Sequence, residues 1–233
     1  MGKLYLIPSP LGDCEPSEVL PAPLMETLPK ISIFVVEEIR TARRFLSRAG
    51  LKGHIEELEF HELNEHTGQA EVESYASLFK RGDVGLISEA GLPAVADPGA
   101  ALVALCHRID VEVVPFVGPS SLMMALMSSG LNGQSFAFLG YIPAKTDERR
   151  TALKNIEKQS AAHRQTQIFI ETPYRNDSML ADLLQICAPT TKVCIAANIT
   201  MPDAYIKTRT VAQWRSSNIT IGKRPCVFLI LAQ

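Results

Sequence analysis

No stretch of this 233-residue chain is apolar for the roughly 18 residues that crossing a bilayer requires. Its opening Met1-Gly2-Lys3-Leu4-Tyr5-Leu6 lacks the apolar core and small-residue cleavage site of a signal peptide. A soluble, cytoplasmic protein is expected. The five cysteines (Cys14, Cys106, Cys187, Cys194, Cys226) include no C-x-x-C pair, which speaks against zinc knuckles and thioredoxin-type motifs. They read instead as reduced, small apolar side chains. Also missing are G-x-G-x-x-G after the first apolar run, G-x-x-x-x-G-K-[ST], G-x-S-x-G and H-E-x-x-H. Dinucleotide-binding, P-loop, hydrolase-elbow and zincin readings therefore fail. Aromatic residues are 6% of the chain, with Trp214 the single tryptophan, so no base-stacking platform is evident. His61 and His66, with Glu62 and Glu65 between them, form the one metal-ligand candidate; a solvated loop or helix start explains them better, and no metal is expected.

What is present is an alternation of short apolar runs and amphipathic segments. In the first half, Leu4–Pro8, Ile31–Val36, Ile55–Phe60, Val84–Ser88 and Val111–Val117 read as strands. Glu38–Ala49 has helical spacing, with Ile39, Ala42, Phe45, Leu46 and Ala49 on one face and Gly50 as its stop. Ala70–Lys80 reads as a helix, and Asp97-Pro98-Gly99 as the cap of another ending near His107. Strands separated by helices imply a parallel sheet covered on both faces. In the second half, Leu122–Ser129 and Glu148–Lys158 read as helices, and Phe136–Leu139, Gln167–Glu171, Lys192–Ala197, Ala204–Thr210 and Cys226–Leu231 as strands. The last three strands have little helix between them, so part of that sheet should be antiparallel. The expected fold class is α/β, in two domains spanning residues 1–117 and 118–233, with the boundary near Gly118-Pro119.

Ligands of open parallel sheets bind beyond the carboxyl ends of the strands. Three Gly- and Pro-rich loops fall there: Pro8-Ser9-Pro10-Leu11-Gly12-Asp13, Ser88-Glu89-Ala90-Gly91-Leu92-Pro93 running on to Gly99, and Gly118-Pro119-Ser120-Ser121. Such loops are stiff and let main-chain groups approach a ligand closely. Charge is divided unevenly. Residues 1–144 hold 10 Lys and Arg against 18 Asp and Glu, a balance of −8; residues 145–233 hold 13 against 7, a balance of +6. A basic second half suits an anionic partner.

These loops resemble those of the tetrapyrrole methylase superfamily of S-adenosylmethionine-dependent methyltransferases. The chain is most similar to the branch that methylates a cytidine ribose 2′-hydroxyl in small-subunit ribosomal RNA. The resemblance runs nearly end to end. It is carried by Leu4–Asp13 (LYLIPSPLGD), Glu37-Glu38-Ile39-Arg40, His61–His66 (HELNEH), Leu86–Gly99 (LISEAGLPAVADPG) and Gly140–Arg150 (GYIPAKTDERR). It implies two α/β domains with a cofactor cleft between them, S-adenosylmethionine as cofactor, a homodimer, and ribosomal RNA as substrate. It puts Pro10, Ser88, Glu89, Ala90, Ser120, Ser121, Ile170, Ala197 and Pro225 around the cofactor. Arg40, His61, Lys145, Arg149 and Arg150 become the substrate-binding candidates, the cations as phosphate ligands.

The departures bear on substrate. Glu89 stands where the branch has Asp, and Leu92 where it has Thr. Ala196-Ala197-Asn198-Ile199-Thr200 replaces Ala-Arg-Glu-Leu-Thr, and Lys223-Arg224-Pro225 does not match a Gly-Glu before the last strand. The Asn-x-Thr is closer to the porphyrin and corrin methylases. A small tetrapyrrole-like acceptor, or a cofactor-binding module without catalysis, therefore stands beside the RNA reading. The titratable groups in matched segments are Glu37, Glu38, His61 and Glu89, and none is assigned as the catalytic base. Glu37 and Arg40 have an ion pair as their structural alternative.

Overall fold

Period-two alternation on each strand decides how the first sheet is covered. In the computed structural model, which describes residues 1–232, β1 (Leu4–Ile7) points Leu4 and Leu6 to one apolar cluster and Tyr5 and Ile7 to another. β2 (Ile33–Val36) likewise sends Ile33 and Val35 to the first cluster and Phe34 and Val36 to the second. Both faces of each strand are buried, which is why they read as continuous apolar runs.

The chain divides into two compact units, Met1–Ser120 and a second that begins at Ser121. The first sheet adds β3 (Glu59–Glu62), β4 (Val84–Ile87) and β5 (Val113–Pro115) in the order β3-β2-β4-β1-β5, with every pairing parallel. Helices α1 (Pro16–Val19), α2 (Ala22–Thr27) and α3 (Ile39–Leu46) lie in the connections running from β1 to β3. Helices α4 (Gln69–Ser74) and α5 (Ala100–Arg108) lie in the returns to β4 and β5. Right-handed crossovers place leftward and rightward connections on opposite faces. Accordingly Leu24 and Leu46 pack with Phe34, while Leu78 and Leu102 pack with Val35. The switch in direction falls between the neighbours β1 and β4, where a ligand crevice is expected.

Several boundaries differ from the sequence reading. Ile55–Glu57 is a single 3-10 turn, and the strand begins at Glu59. β3 is an edge strand bonded to β2 alone, so polar Glu59, His61 and Glu62 are tolerated in it. β5 contracts to three residues on the opposite edge. The helix expected over 70–80 tightens to 3-10 geometry from Tyr75, and α3 passes at Ser47 into a π turn that reaches Leu51. Asp97 does not cap α5; Gly99 occupies that position, with no side-chain cap.

The second unit holds β6 (Phe136–Tyr141), β7 (Thr166–Ile170), β8 (Lys192–Ala197), β9 (Tyr205–Thr210) and β10 (Cys226–Leu231) in the order β6-β7-β10-β8-β9. β6 and β7 are parallel, and the remaining pairings are antiparallel. Helices α6 (Ser121–Ser129), α7 (Thr146–His163), α8 (Asn176–Ile186) and α9 (Val211–Arg215) accompany this sheet. Phe169 stacks on Phe228 at 5.7 Å between ring centroids. Trp214 is fully buried and donates from Nε1 to the Val193 carbonyl at 2.9 Å. α8 has no counterpart in the sequence reading, although Met179, Leu180 and Leu183 repeat at helical spacing and enter this core.

Candidate functional site

The loops after β1 and β4 are joined by a two-residue bridge. Ser9 N donates to Gly91 O at 2.9 Å, and Gly91 N donates to Ser9 O at 3.1 Å. The Ser9 hydroxyl adds a bond to the Ser88 carbonyl at 3.2 Å. Gly91 has φ +80, and Ala94 and Ala96 have φ 64 and 65. Left-handed alanines are strained, and such strain gathers where a loop is held in a shape its function needs. The third loop meets the first at Gly118: a Cβ there would lie 2.2 Å from the Pro8 ring. Three loops distant in sequence are thus locked around the carboxyl ends of β1, β4 and β5. They carry Pro10, Ser88, Glu89, Ala90 and Ser120 of the expected cofactor set. Ser121 follows as the first residue of α6.

Two carboxyls beneath these loops have perturbed protonation. Glu37, directly after β2, is half-buried and accepts a hydrogen bond from Glu89 N at 3.3 Å. Burial pushes its carboxyl above the ordinary range, and the nearby Asp97, Glu89 and Glu65 push the same way. Burial raises Asp97 too. The buried Ser88 hydroxyl lies by the Asp97 carboxylate without a hydrogen bond of good geometry. Among the described residues no group of three His, Cys, Asp or Glu is placed to hold a metal ion.

Two of the other titratable candidates, Glu38 and His61, are occupied. Glu38 is the N-cap of α3, accepting from Arg40 N at 2.9 Å and Thr41 N at 2.6 Å. His61 Nε2 sits 2.7 Å from Glu59 Oε1, and Arg81 holds that carboxyl at about 2. Glu37 and Arg40 form no ion pair among the described residues; the Glu37 carboxylate is taken by Glu89 N instead.

Arg149 and Arg150, expected as phosphate ligands, are both bound to Asp182. Arg149 is buried and donates from Nε to Asp182 Oδ2 at 2.7 Å and from Nη1 to the Ala144 carbonyl at 2.9 Å. Arg150 Nε donates to Asp182 Oδ1 at 2.8 Å, and its Nη2 to Gln185 Oε1 at 2.7 Å. Both tie α7 to α8; Arg149 is thereby buried, while the Arg150 side chain stays 39% exposed. Lys145 is exposed, 3.2 Å from Glu148. Ile170, Ala197 and Pro225 do converge. Ile170 pairs with Val227 and Ala197 with Cys226, while the Pro225 carbonyl accepts from Asn198 N at 2.9 Å. Asn198 and Thr200, at φ 48 and 75, form a second strained turn at this end of the sheet.

The sequence reading missed one wall of the site. Thr41, Arg44, Phe45 and Arg48 of α3 and its π turn line a cavity of about 480 Å³ with Pro10, Glu89 and Ala90. Their i, i+3, i+4, i+7 spacing was the available signal.

The sequence profile of the family described as Tetrapyrrole (Corrin/Porphyrin) Methylases matches residues 23–214. The chain belongs to this family. A small-subunit ribosomal RNA methyltransferase I of Escherichia coli O157:H7 is 30% identical over 200 residues, covering 85% of this chain and 66% of that protein. The protein of the same name from Thermotoga maritima is 33% identical over 189 residues, covering 80% of this chain and 78% of its own. The chain thus spans about two thirds to three quarters of such relatives. Among solved tetrapyrrole methylases, the methyltransferase CobJ superposes with a TM-score of 0.64 at 15% identity, covering 100% of this chain and 95% of that one. The uroporphyrin-III C-methyltransferase of Thermus thermophilus, solved with S-adenosylhomocysteine, gives 0.57 at 18% identity, covering 99% and 97%. At these identities the two structures establish the shared fold.

Proposed function

We propose that this chain is an S-adenosylmethionine-dependent methyltransferase acting on a ribose 2′-hydroxyl of small-subunit ribosomal RNA. The observation that carries the reading is the similarity to ribosomal RNA small-subunit methyltransferases over most of the chain. The geometry of the site agrees with it. The loops that carry Pro10, Ser88, Glu89, Ala90 and Ser120, with Ser121 next, are held together by main-chain bonds and close packing, which suits a fixed seat for a polar nucleoside cofactor. The residues expected from the second unit, Ile170, Ala197 and Pro225, gather at one end of its sheet.

S-adenosylmethionine supplies a methyl group activated on a sulfonium. The chain's task is to align the acceptor oxygen and take its proton; alignment alone can supply roughly 7–11 kcal/mol. Glu37 is the base this reading selects, because its half-buried carboxyl is raised by burial and keeps a single main-chain contact, whereas Glu38 caps a helix and His61 is bound to Glu59. A raised carboxyl pKa brings it closer to the operating pH, where general bases work best. The O–H proton passes to Glu37 as the C–O bond forms and the C–S bond breaks. Arg40 and Lys145 remain as phosphate contacts. A cytoplasmic homodimer belongs to the same proposal; no helix among the described residues is long and apolar enough to cross a membrane.

The turn at Asn198-Ile199-Thr200 favours a second reading, methylation of a small tetrapyrrole or corrin-like acceptor. A cofactor-binding module without turnover is the third. Labelled S-adenosylmethionine separates all three. Label in ribosomal RNA, released as a 2′-O-methylnucleoside, supports the first; label only in a corrin precursor supports the second. Cofactor binding with label in neither supports the third.

A further inference from the structure

The first unit is rich in carboxylates, with 18 Asp and Glu against 10 Lys and Arg, and most of its arginines are neutralised. Arg43 pairs with Glu56, Arg48 with Asp13, Arg81 with Glu59 and Arg108 with Glu73. The remaining two, Arg40 and Arg44, make no side-chain hydrogen bond or ion pair among the described residues, although the Arg40 charge lies near the Glu38 carboxylate. They stand one turn apart on α3, where i and i+4 side chains are neighbours. Two uncommitted guanidiniums side by side in an acidic unit form a site for an anion from outside.

Arg44 lines the cavity described above, and the cavity has a fitted shape. Arg48 Nη1 donates to Asp13 at 2.6 Å, and its Nη2 donates to the Cys14 carbonyl at 2.9 Å and to Glu15 at 3.1 Å, pinning the first loop over α3. Leu11 and Phe45 give the lining an apolar part. A smaller recess lined by Glu37 shares Thr41, Phe45 and Glu89 with the cavity. A guanidinium, an apolar surface and a proton-accepting carboxyl in adjoining hollows match the phosphate, base and ribose hydroxyl of one nucleotide. The cavity also shares Pro10, Glu89 and Ala90 with the expected cofactor set, while α3 contributes none of that set. An acceptor must lie within about 3–3.5 Å of the group it attacks, so its seat should share one wall with the donor's.

We infer that this cavity seats the acceptor nucleotide, with Arg44 binding its phosphate and Arg40 the next one along the strand. The inference rests on the RNA-methyltransferase reading and adds to it where the acceptor is held. The test is binding of naked small-subunit ribosomal RNA across a salt series, with calorimetry of S-adenosylhomocysteine on the same samples. Arg44→Ala should weaken RNA binding on the order of tenfold at moderate salt. It should also flatten the slope of log affinity against log salt by about 0.7 to 1, the share of one phosphate. S-adenosylhomocysteine affinity and thermal stability should not change. Arg40→Ala should behave alike, and Arg44→Lys should keep the slope while losing part of the affinity. RNA binding and slope that match wild type in Arg44→Ala would overturn the inference. So would a parallel loss of S-adenosylhomocysteine affinity, which would give the cavity to the cofactor. Wild-type protein that binds no RNA would remove the RNA reading itself, and the inference with it, before any variant is compared.

Discussion

The buried Arg149 guanidinium donates from Nε to Asp182 Oδ2 at 2.7 Å, thirty-three residues along the chain. Arg150 binds the other carboxylate oxygen at 2.8 Å, so a single acid of α8 holds two consecutive arginines of α7. Burial alone would raise the Asp182 pKa, but Arg150 and Arg149 outweigh it and bring it below the ordinary value. The pair that resembles a phosphate-binding motif in the sequence is a clasp between helices.

Asp182→Ala leaves Arg149 buried without its counter-charge, and breaking such a pair costs about 3–5 kcal/mol. Thermal unfolding should show this loss, with S-adenosylhomocysteine affinity retained at temperatures where the variant is folded. The pH dependence has a definite sign. A depressed folded pKa means the clasp contributes fully above the unfolded carboxyl value, near 3.9, and is lost as pH falls through the folded value. Wild-type protein should therefore lose stability under acid more steeply than Asp182→Ala.

Glu37→Gln should lower turnover about 10²–10⁴-fold while leaving cofactor affinity near wild type. In wild type, kcat should rise with pH through a carboxyl pKa above the ordinary range, because the base must be ionised. Stability moves in the opposite direction. A raised folded pKa means the contribution of Glu37 is present at low pH and lost as pH rises through that pKa. Glu37→Gln should then melt at or above the wild-type temperature at neutral pH. A variant with wild-type turnover would dismiss Glu37 as the base.

Gly118→Ala puts a methyl group 2.2 Å from the Pro8 ring, and both neighbours are backbone-constrained. The loops must separate, at a cost of about 1–3 kcal/mol. Calorimetry should register weaker S-adenosylhomocysteine binding, since Ser120 moves with the displaced loop. Unchanged affinity would show that the loop junction does not shape the cofactor seat.

Thiol titration checks the reading of the cysteines as apolar side chains. Burial pushes the Cys187 and Cys226 thiols up to about 12 and Cys106 to about 11. At mildly alkaline pH a disulfide reagent should label Cys14, the half-exposed one, and reach all five cysteines only after denaturation. Rapid labelling of a second thiol in the native protein would count against this burial.

The parts of the molecule legible in the sequence were those whose pattern is local. β1, β2 and β4 are buried on two faces, so Ile33–Val36 and Val84–Ile87 are unbroken apolar runs whatever they pack against. The three loops were legible because stiff turns need Gly and Pro. β3 starts later than its pattern predicts because an edge strand tolerates Glu59, His61 and Glu62, so its own residues carry no continuous apolar signal. α8 went unread despite adequate spacing. The wall formed by Thr41, Arg44, Phe45 and Arg48 could not be singled out, because a cavity beside a helix depends on what lies opposite it.

The class of the fold, the succession of its strands and the loops that surround the site were determined by the sequence alone, through hydrophobic periodicity and turn chemistry. The tertiary structure decided which charges are committed: Arg149 and Arg150 to Asp182, Glu38 to the start of α3, Arg48 to Asp13, with Arg40 and Arg44 left open. The reason is that an ion pair depends on distance in space between groups far apart along the chain, and no local pattern encodes that distance.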